Sequence, residues 1–109
     1  MAETFKNGYQ QADTSLADLV PAIAASTTAI VYSIRATNVD GTNDATVDVQ
    51  VQDGTSGSAY IAKGVNIPAG SSVELLGETK VNLETTDKIQ SLASATGDID
   101  FLVSYLEIT

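Results

Sequence analysis

The chain has 109 residues, which suits one compact domain and leaves no room for a second. Fourteen acidic residues against five basic ones give a net charge of −9, which works against phosphate backbones and anionic lipid surfaces; no apolar run approaches the roughly 20 residues of a membrane helix. With neither histidine nor cysteine, the chain has no disulfide framework, no thiolate metal site and no Ser–His or Cys–His nucleophile pair.

The opening MAETFKNGYQQADTS is polar and carries Glu3 ahead of any apolar run, unlike a secretory signal, so synthesis in a cytoplasm is expected. Residues 1 to 14 show no period that supports a helix or a central strand and are expected to form an N-terminal arm outside a domain of residues 15 to 109. Such a segment frays unless something ties it down; Phe5 and Tyr9, isolated aromatics in a polar tail, are the candidate anchors on a partner.

From Ser15 onward the chain reads as short β segments. SLADLV ends at Pro21, which removes a ladder donor and predicts an edge strand or a strand end. PAIAAST is Ala-rich and long enough for one helical turn only. In TTAIVYSIRATNV the alternation places Ile30, Tyr32, Ile34 and Ala36 inward and Val31, Ser33, Arg35 and Thr37 outward. DGTND predicts a hairpin turn, since Asp-Gly readily adopts positive φ, and the returning ATVDVQVQD sends Val47, Val49 and Val51 inward with Asp48, Gln50 and Gln52 outward.

GTSGS is the next turn. In AYIAKGVNI, Gly64 suggests a bulge, and PAGSS is a turn in which glycine takes the difficult conformation. VELL, TKVNL and KIQSLAS follow, separated by a glycine and by the turn ETTD, and ATGD leads into the closing strand IDFLVSYLEI. That last strand departs from simple alternation. Ile99, Phe101, Val103 and Tyr105 share one face, yet Leu102, Leu106 and Ile108 sit on the other beside Asp100 and Ser104, so the outer face is expected to be covered by a loop or the Ala-rich segment, or buried between subunits.

No Gly-rich phosphate loop is present, and nothing selects a carboxylate pair for hydrolysis, so no enzyme activity and no cofactor are expected. Asp40, Asn43 and Asp44 in DGTND offer hard oxygen ligands, but their order does not fit a calcium loop and their turn-forming role suffices; no metal site is expected. Tyr9 and Tyr60 are the aromatics left for a sugar platform, and tryptophan, the usual residue in that role, is absent.

The succession TTAIVYSIRATNVDGTNDATVDVQVQD, IAKGVNIPAGSSVELL and KIQSLASATGDIDFLVSYLEI resembles small β-sandwich virion proteins encoded by tailed bacteriophages, over roughly residues 27 to 108. The resemblance implies a structural protein, specifically a capsid decoration (cement) protein on the capsid exterior that clamps neighbouring major capsid subunits. Together the readings predict an all-β, single β-sandwich or jelly roll of seven or eight short antiparallel strands with an extended N-terminal arm. Its partners are expected to be the major capsid protein, bound through Phe5 and Tyr9 on the arm, and its own copies, as a homo-oligomer, a trimer, through an interface of Leu102, Leu106 and Ile108 on the last strand; nucleic acid and membrane are not expected partners. The alternatives are a tail, neck or fibre-associated phage protein and a glycan-binding host-adsorption module.

Overall fold

A computed structural model of the chain describes residues 2–54 and 57–109. Nine strands, in chain order β1 (Glu3–Gln11), β2 (Ala17–Val20), β3 (Thr28–Asn38), β4 (Ala45–Gln52), β5 (Ser58–Ile67), β6 (Ser72–Glu74), β7 (Val81–Leu83), β8 (Lys88–Ala93) and β9 (Ile99–Ile108), build two antiparallel sheets. One sheet runs β1-β9-β3-β6, with β7 also on the free side of β3; the other runs β2-β8-β4-β5. Successive strands from β1 to β4 pass each time from one sheet to the other, the connectivity of a jelly roll. No described residue is in a helix.

The two inner faces make one aliphatic core. Ile99, Phe101, Val103 and Tyr105 of β9 are buried, as the alternation predicts, against Val47 and Val49 of β4 and Ile89 of β8. Val51 is only partly buried against this cluster, and Gln50, on the opposite face of β4, is covered by neighbours and donates to the Gln90 side chain at 3.3 Å. The Ala-rich segment after Pro21 forms no helical turn; the Ile23 amide donates to Asp87 O and its carbonyl accepts from Thr86 N, so the buried Ile23 side chain enters the core.

Three expectations are corrected. The first concerns residues 1 to 14: instead of lying outside the sandwich, residues 3–11 are β1, paired with β9 without a break from Glu3 opposite Ile108 to Gln11 opposite Asp100. Its inward positions are Thr4, Lys6, Gly8 and Gln10, so no apolar stripe marks it as a strand, and backbone bonds hold it. Gly8 is where β1 passes close over β2: a Cβ there would lie 3.0 Å from Val103 Cγ1 and 3.3 Å from the Leu19 carbonyl.

The second correction is the face of Ile30 and Tyr32. Val31 lies opposite Tyr105 but Ser33 lies opposite Ser104, so Tyr32 is an extra residue, a bulge in β3. Ahead of it Ala29 and Val31 are buried; behind it Ile34 and Ala36 are, and Ile30 and Tyr32 therefore turn outward.

The third correction is the DGTND hairpin. β3 and β4 belong to different sheets, so this segment is a crossover and not a hairpin turn. Alternation and Asp-Gly announce strand, turn, strand; they do not say whether the two strands bond each other. Gly41 does not take positive φ. Instead the buried Asn38 side chain donates to Asn43 O at 2.9 Å and Ile67 O at 3.0 Å and accepts from Asp40 N at 2.9 Å, fixing the crossover to the end of β5. The hairpin in this region is β4–β5, where Gly64 takes φ +63 in a bulge and its amide donates to Asp48 Oδ1 at 2.8 Å.

Candidate functional site

The bulge at Tyr32 and the docking of β1 together create an outward surface that holds four of the exposed large apolar side chains, Phe5, Tyr9, Tyr32 and Leu102: the outer face of the β1-β9-β3 sheet. Phe5 on β1 lies opposite Leu106 on β9, which lies opposite Ile30 on β3; one end of the face has Tyr9 opposite Leu102, and Ile108 sits at the other. Phe5 and Tyr9 are 74% and 83% exposed and Leu102 is 44% exposed, while Leu106 and Ile108 are half-buried. The rings of Phe5 and Tyr32 meet across β9 edge to face, with centroids 6.4 Å apart and planes at 81°. All five residues expected to bind partners thus share one face, although the sequence separates Phe5 and Tyr9 from the rest by most of the chain. Neither the Ala-rich segment nor a loop covers Leu102: its cross-strand neighbours are Tyr9 and Arg35.

Ile30 and Tyr32 belong to this face and escaped the sequence reading, because the bulge that turns them outward has no residue signature. The signal that could have revealed β1 was available: Phe5 and Tyr9 are of equal parity with Glu3, Asn7 and Gln11, as on one side of a strand.

Toward the Tyr9 end the face hollows into an open groove of about 600 Å³, bordered by Tyr9, Gln11, Arg35, Thr37, Asp100 and Leu102. It contains a single carboxylate, Asp100, and a single guanidinium, Arg35. Tyr60 does not join it: that ring lies on β5, in the other sheet, with the Lys63 ammonium 4.8 Å from its centre.

The rim opposite β1 is fixed by Glu74. β6 bonds residues 35–37 of β3 and β7 bonds residues 29–31, leaving a gap between them. Glu74 fills it, accepting from the Ser33 hydroxyl at 2.7 Å and the Ile34 amide at 2.9 Å, and from Leu76 N at 3.2 Å. Burial opposes its charge, but the Ser33 hydroxyl and the two amides outweigh that and hold its carboxyl below its ordinary value. In the crossover, Asp40 is spent on the turn itself: its carboxylate accepts from Thr42 N at 2.8 Å, which lowers its pKa, while Asp44 accepts from Ala69 N at 3.0 Å. Among the described residues no group of three acids gathers as a metal site.

No family model and no curated protein matches the chain. Solved structures do. A protein of Bacillus endospore appendages, a novel family of disulfide-linked pili, matches with a TM-score of 0.55 at 16% identity, over 99% of this chain and 87% of that one. The Drosophila NLP core, studied for pentamer formation and histone binding, matches with a TM-score of 0.50 at 14% identity, over 96% and 98%. The capsid of Helicobacter pylori bacteriophage KHP30, at 10% identity and a TM-score of 0.47 over 100% and 89%, is too distant to carry an argument. At these identities the first two likenesses establish a shared β-sandwich fold and nothing more.

Proposed function

We propose that the chain is a bacteriophage virion structural protein, a capsid decoration protein that binds across major capsid subunits and its own copies through the outer face of the β1-β9-β3 sheet. The observation that carries this reading is the exposed apolar face that brings Phe5, Tyr9, Leu102, Leu106 and Ile108 together, since large apolar patches left in water are uncommon on monomers. The sequence resemblance over roughly residues 27 to 108 supports the virion context. The pili and the pentamer named for two of the similar folds are assemblies, which agrees with a self-associating subunit, although without cysteine this chain has no disulfide link to offer.

The test is reconstitution on capsids that lack the protein. Deleting residues 1 to 14 is unsuitable, because it strips β9 of one of its two partner strands; Phe5→Ser with Tyr9→Ser leaves every backbone bond in place. The wild type is expected to occupy the capsid in hundreds of copies and the double variant to bind weakly. A few to a dozen copies per particle would point to neck, baseplate or fibre, and unchanged occupancy by the variant would reject the face.

A second reading, glycan binding, draws on the groove beside Tyr9, where an exposed ring stands next to Arg35, Asp100, Thr37 and Gln11. A single tyrosine is a meagre platform, and a glycan array without hits would dismiss it.

A further inference from the structure

A β-sandwich must protect the free edges of its sheets from pairing with other chains. Three edges here carry such protection. β2 has four residues, ends against Pro21 and shifts register between Asp18 and Val20. β5 has two register shifts, and the Lys63 ammonium lies 3.0 Å from Asp48 beside the first of them. On the far side of β3 the edge is broken into two three-residue strands, β6 and β7. β1 shares only the lysine, Lys6, whose ammonium is held by Glu107 at 2.9 Å; its nine residues run without bulge or proline and keep one register along β9.

The chemistry of this edge specifies its occupant. Ala2 and Thr109 exchange both backbone bonds, and Ala12 N donates to Ile99 O, so the even-numbered residues of β1 face β9. The N–H and C=O groups of Glu3, Phe5, Asn7, Tyr9 and Gln11 therefore point away from the sheet. These five positions are self-complementary about Asn7. In an antiparallel pairing of two copies centred there, Asn7 faces Asn7, Phe5 faces Tyr9, and Glu3 faces Gln11. Each of the five meets a partner among the same five, so no outward backbone group is left over. On the other side of the strand, Lys6 faces Gly8, which leaves its long side chain room.

Asn7 already accepts from the Ser104 hydroxyl at 2.6 Å through Oδ1, so its amide nitrogen is available to its mate. Charge agrees. In a chain of net charge −9, β1 carries one acid, Glu3, and one base, Lys6, so this edge itself adds no net charge to the repulsion between two copies.

We infer that β1 is a homophilic edge: two copies join β1 to β1 about a two-fold axis at Asn7, fusing their β1-β9-β3 sheets into one and doubling the apolar outer face. The contact is isologous and closes at two copies, in place of the expected trimer. It rests on edge geometry alone and does not require the virion reading. A nine-residue strand spans about 30 Å, so the edge by itself is a narrow interface and the association is reversible and concentration-dependent.

Sedimentation velocity over a concentration series, with no capsid present, tests it. The wild type is expected to pass from monomer to dimer. Asn7→Lys and Asn7→Glu each set like charges face to face only in this register, and each is expected to weaken association about tenfold or more, while an equimolar mixture of the two restores it. Asn7→Pro removes an outward N–H and the side-chain bond from Ser104 but none of the backbone bonds to β9, and is expected to abolish the dimer with the apolar residues of the outer face in place. Thermal unfolding checks that each variant is folded; should Asn7→Pro fail to fold, the charge pair alone decides. A wild type that stays monomeric or forms trimers, a mixture that does not associate, or a folded Asn7→Pro that dimerises like the wild type overturns the inference.

Discussion

Adjacent residues of β9 should respond to substitution in opposite ways, and Phe101 and Leu102 provide the comparison. Phe101 is 1% exposed in the core, so Phe101→Ala should cost about 3–5 kcal/mol through lost burial and the cavity left behind. Leu102 points outward and is 44% exposed; complete burial of a leucine stabilises by about 1.5–3 kcal/mol, so Leu102→Ser should cost the monomer about 1 kcal/mol. For a domain of this size each kcal/mol shifts the unfolding midpoint by about 4 °C, giving falls of about 15 °C and about 4 °C. In assembly the order reverses. The part of Leu102 still in water is what a partner would cover, worth about 1 kcal/mol per copy, so Leu102→Ser should weaken capsid binding about fivefold while the folded fraction of Phe101→Ala binds normally. Leu106→Ser and Ile108→Ser should follow Leu102. Thermal unfolding and capsid binding on the same preparations measure both quantities. If Leu102→Ser lowers the midpoint as far as Phe101→Ala, or leaves binding unchanged, Leu102 is structural and the outer face is not the interface.

Two further outcomes concern the frame around that face. Asn38→Ala should cost about 3 kcal/mol in urea unfolding, because Asn43 O, Ile67 O and Asp40 N lose their partner together and the bond to Ile67 O is buried; a loss under about 1 kcal/mol would show that the crossover is held otherwise. Glu74 has a folded pKa below its ordinary value of 4.5, so the stability it contributes is complete above that value and disappears as pH falls through the lower folded one. Glu74→Gln should be less stable than the wild type by about 1–2 kcal/mol at pH 7, with the gap closing below pH about 4; a gap independent of pH would contradict the role assigned to its charge.

What was legible in the sequence depended on whether a residue's role was written in its own neighbourhood. The inward set on β9 was, because Ile99, Phe101, Val103 and Tyr105 alternate without interruption. So were the turn at Gly70, with φ +69, the bulge at Gly64 and the edge ended by Pro21, each a consequence of one residue's backbone chemistry. β1 was not, since Thr4, Lys6, Gly8 and Gln10 reach over the rim of the core and need not be apolar; Gln10 even accepts there from the buried Ser91 hydroxyl, at 2.6 Å. The crossing of β3 and β4 into different sheets depends on Asn38 reaching Ile67, a contact 29 residues away that looks locally like any asparagine before a turn. The site followed the same rule. Its members were found as two separate oddities, aromatics in a polar segment and aliphatics on the wrong side of a strand, and only the pairing of β1 with β9 makes them one surface.

Salt separates an apolar interface from an electrostatic one. Each copy carries −9, so bringing copies together is opposed by long-range repulsion that a Debye length of about 10 Å at 0.1 M salt only partly removes. If association runs through Phe5, Tyr9, Leu102 and the neutral β1 edge, raising salt from about 0.05 M to about 0.5 M should tighten it, because screening removes the repulsion and leaves the apolar contact intact. If it ran instead through ion pairs between copies, with Arg35 seeking a carboxylate, the same change would loosen it. The two mechanisms differ in the sign of the response, so sedimentation at the two salt concentrations decides between them. Weaker association at high salt would remove the apolar face from its proposed role.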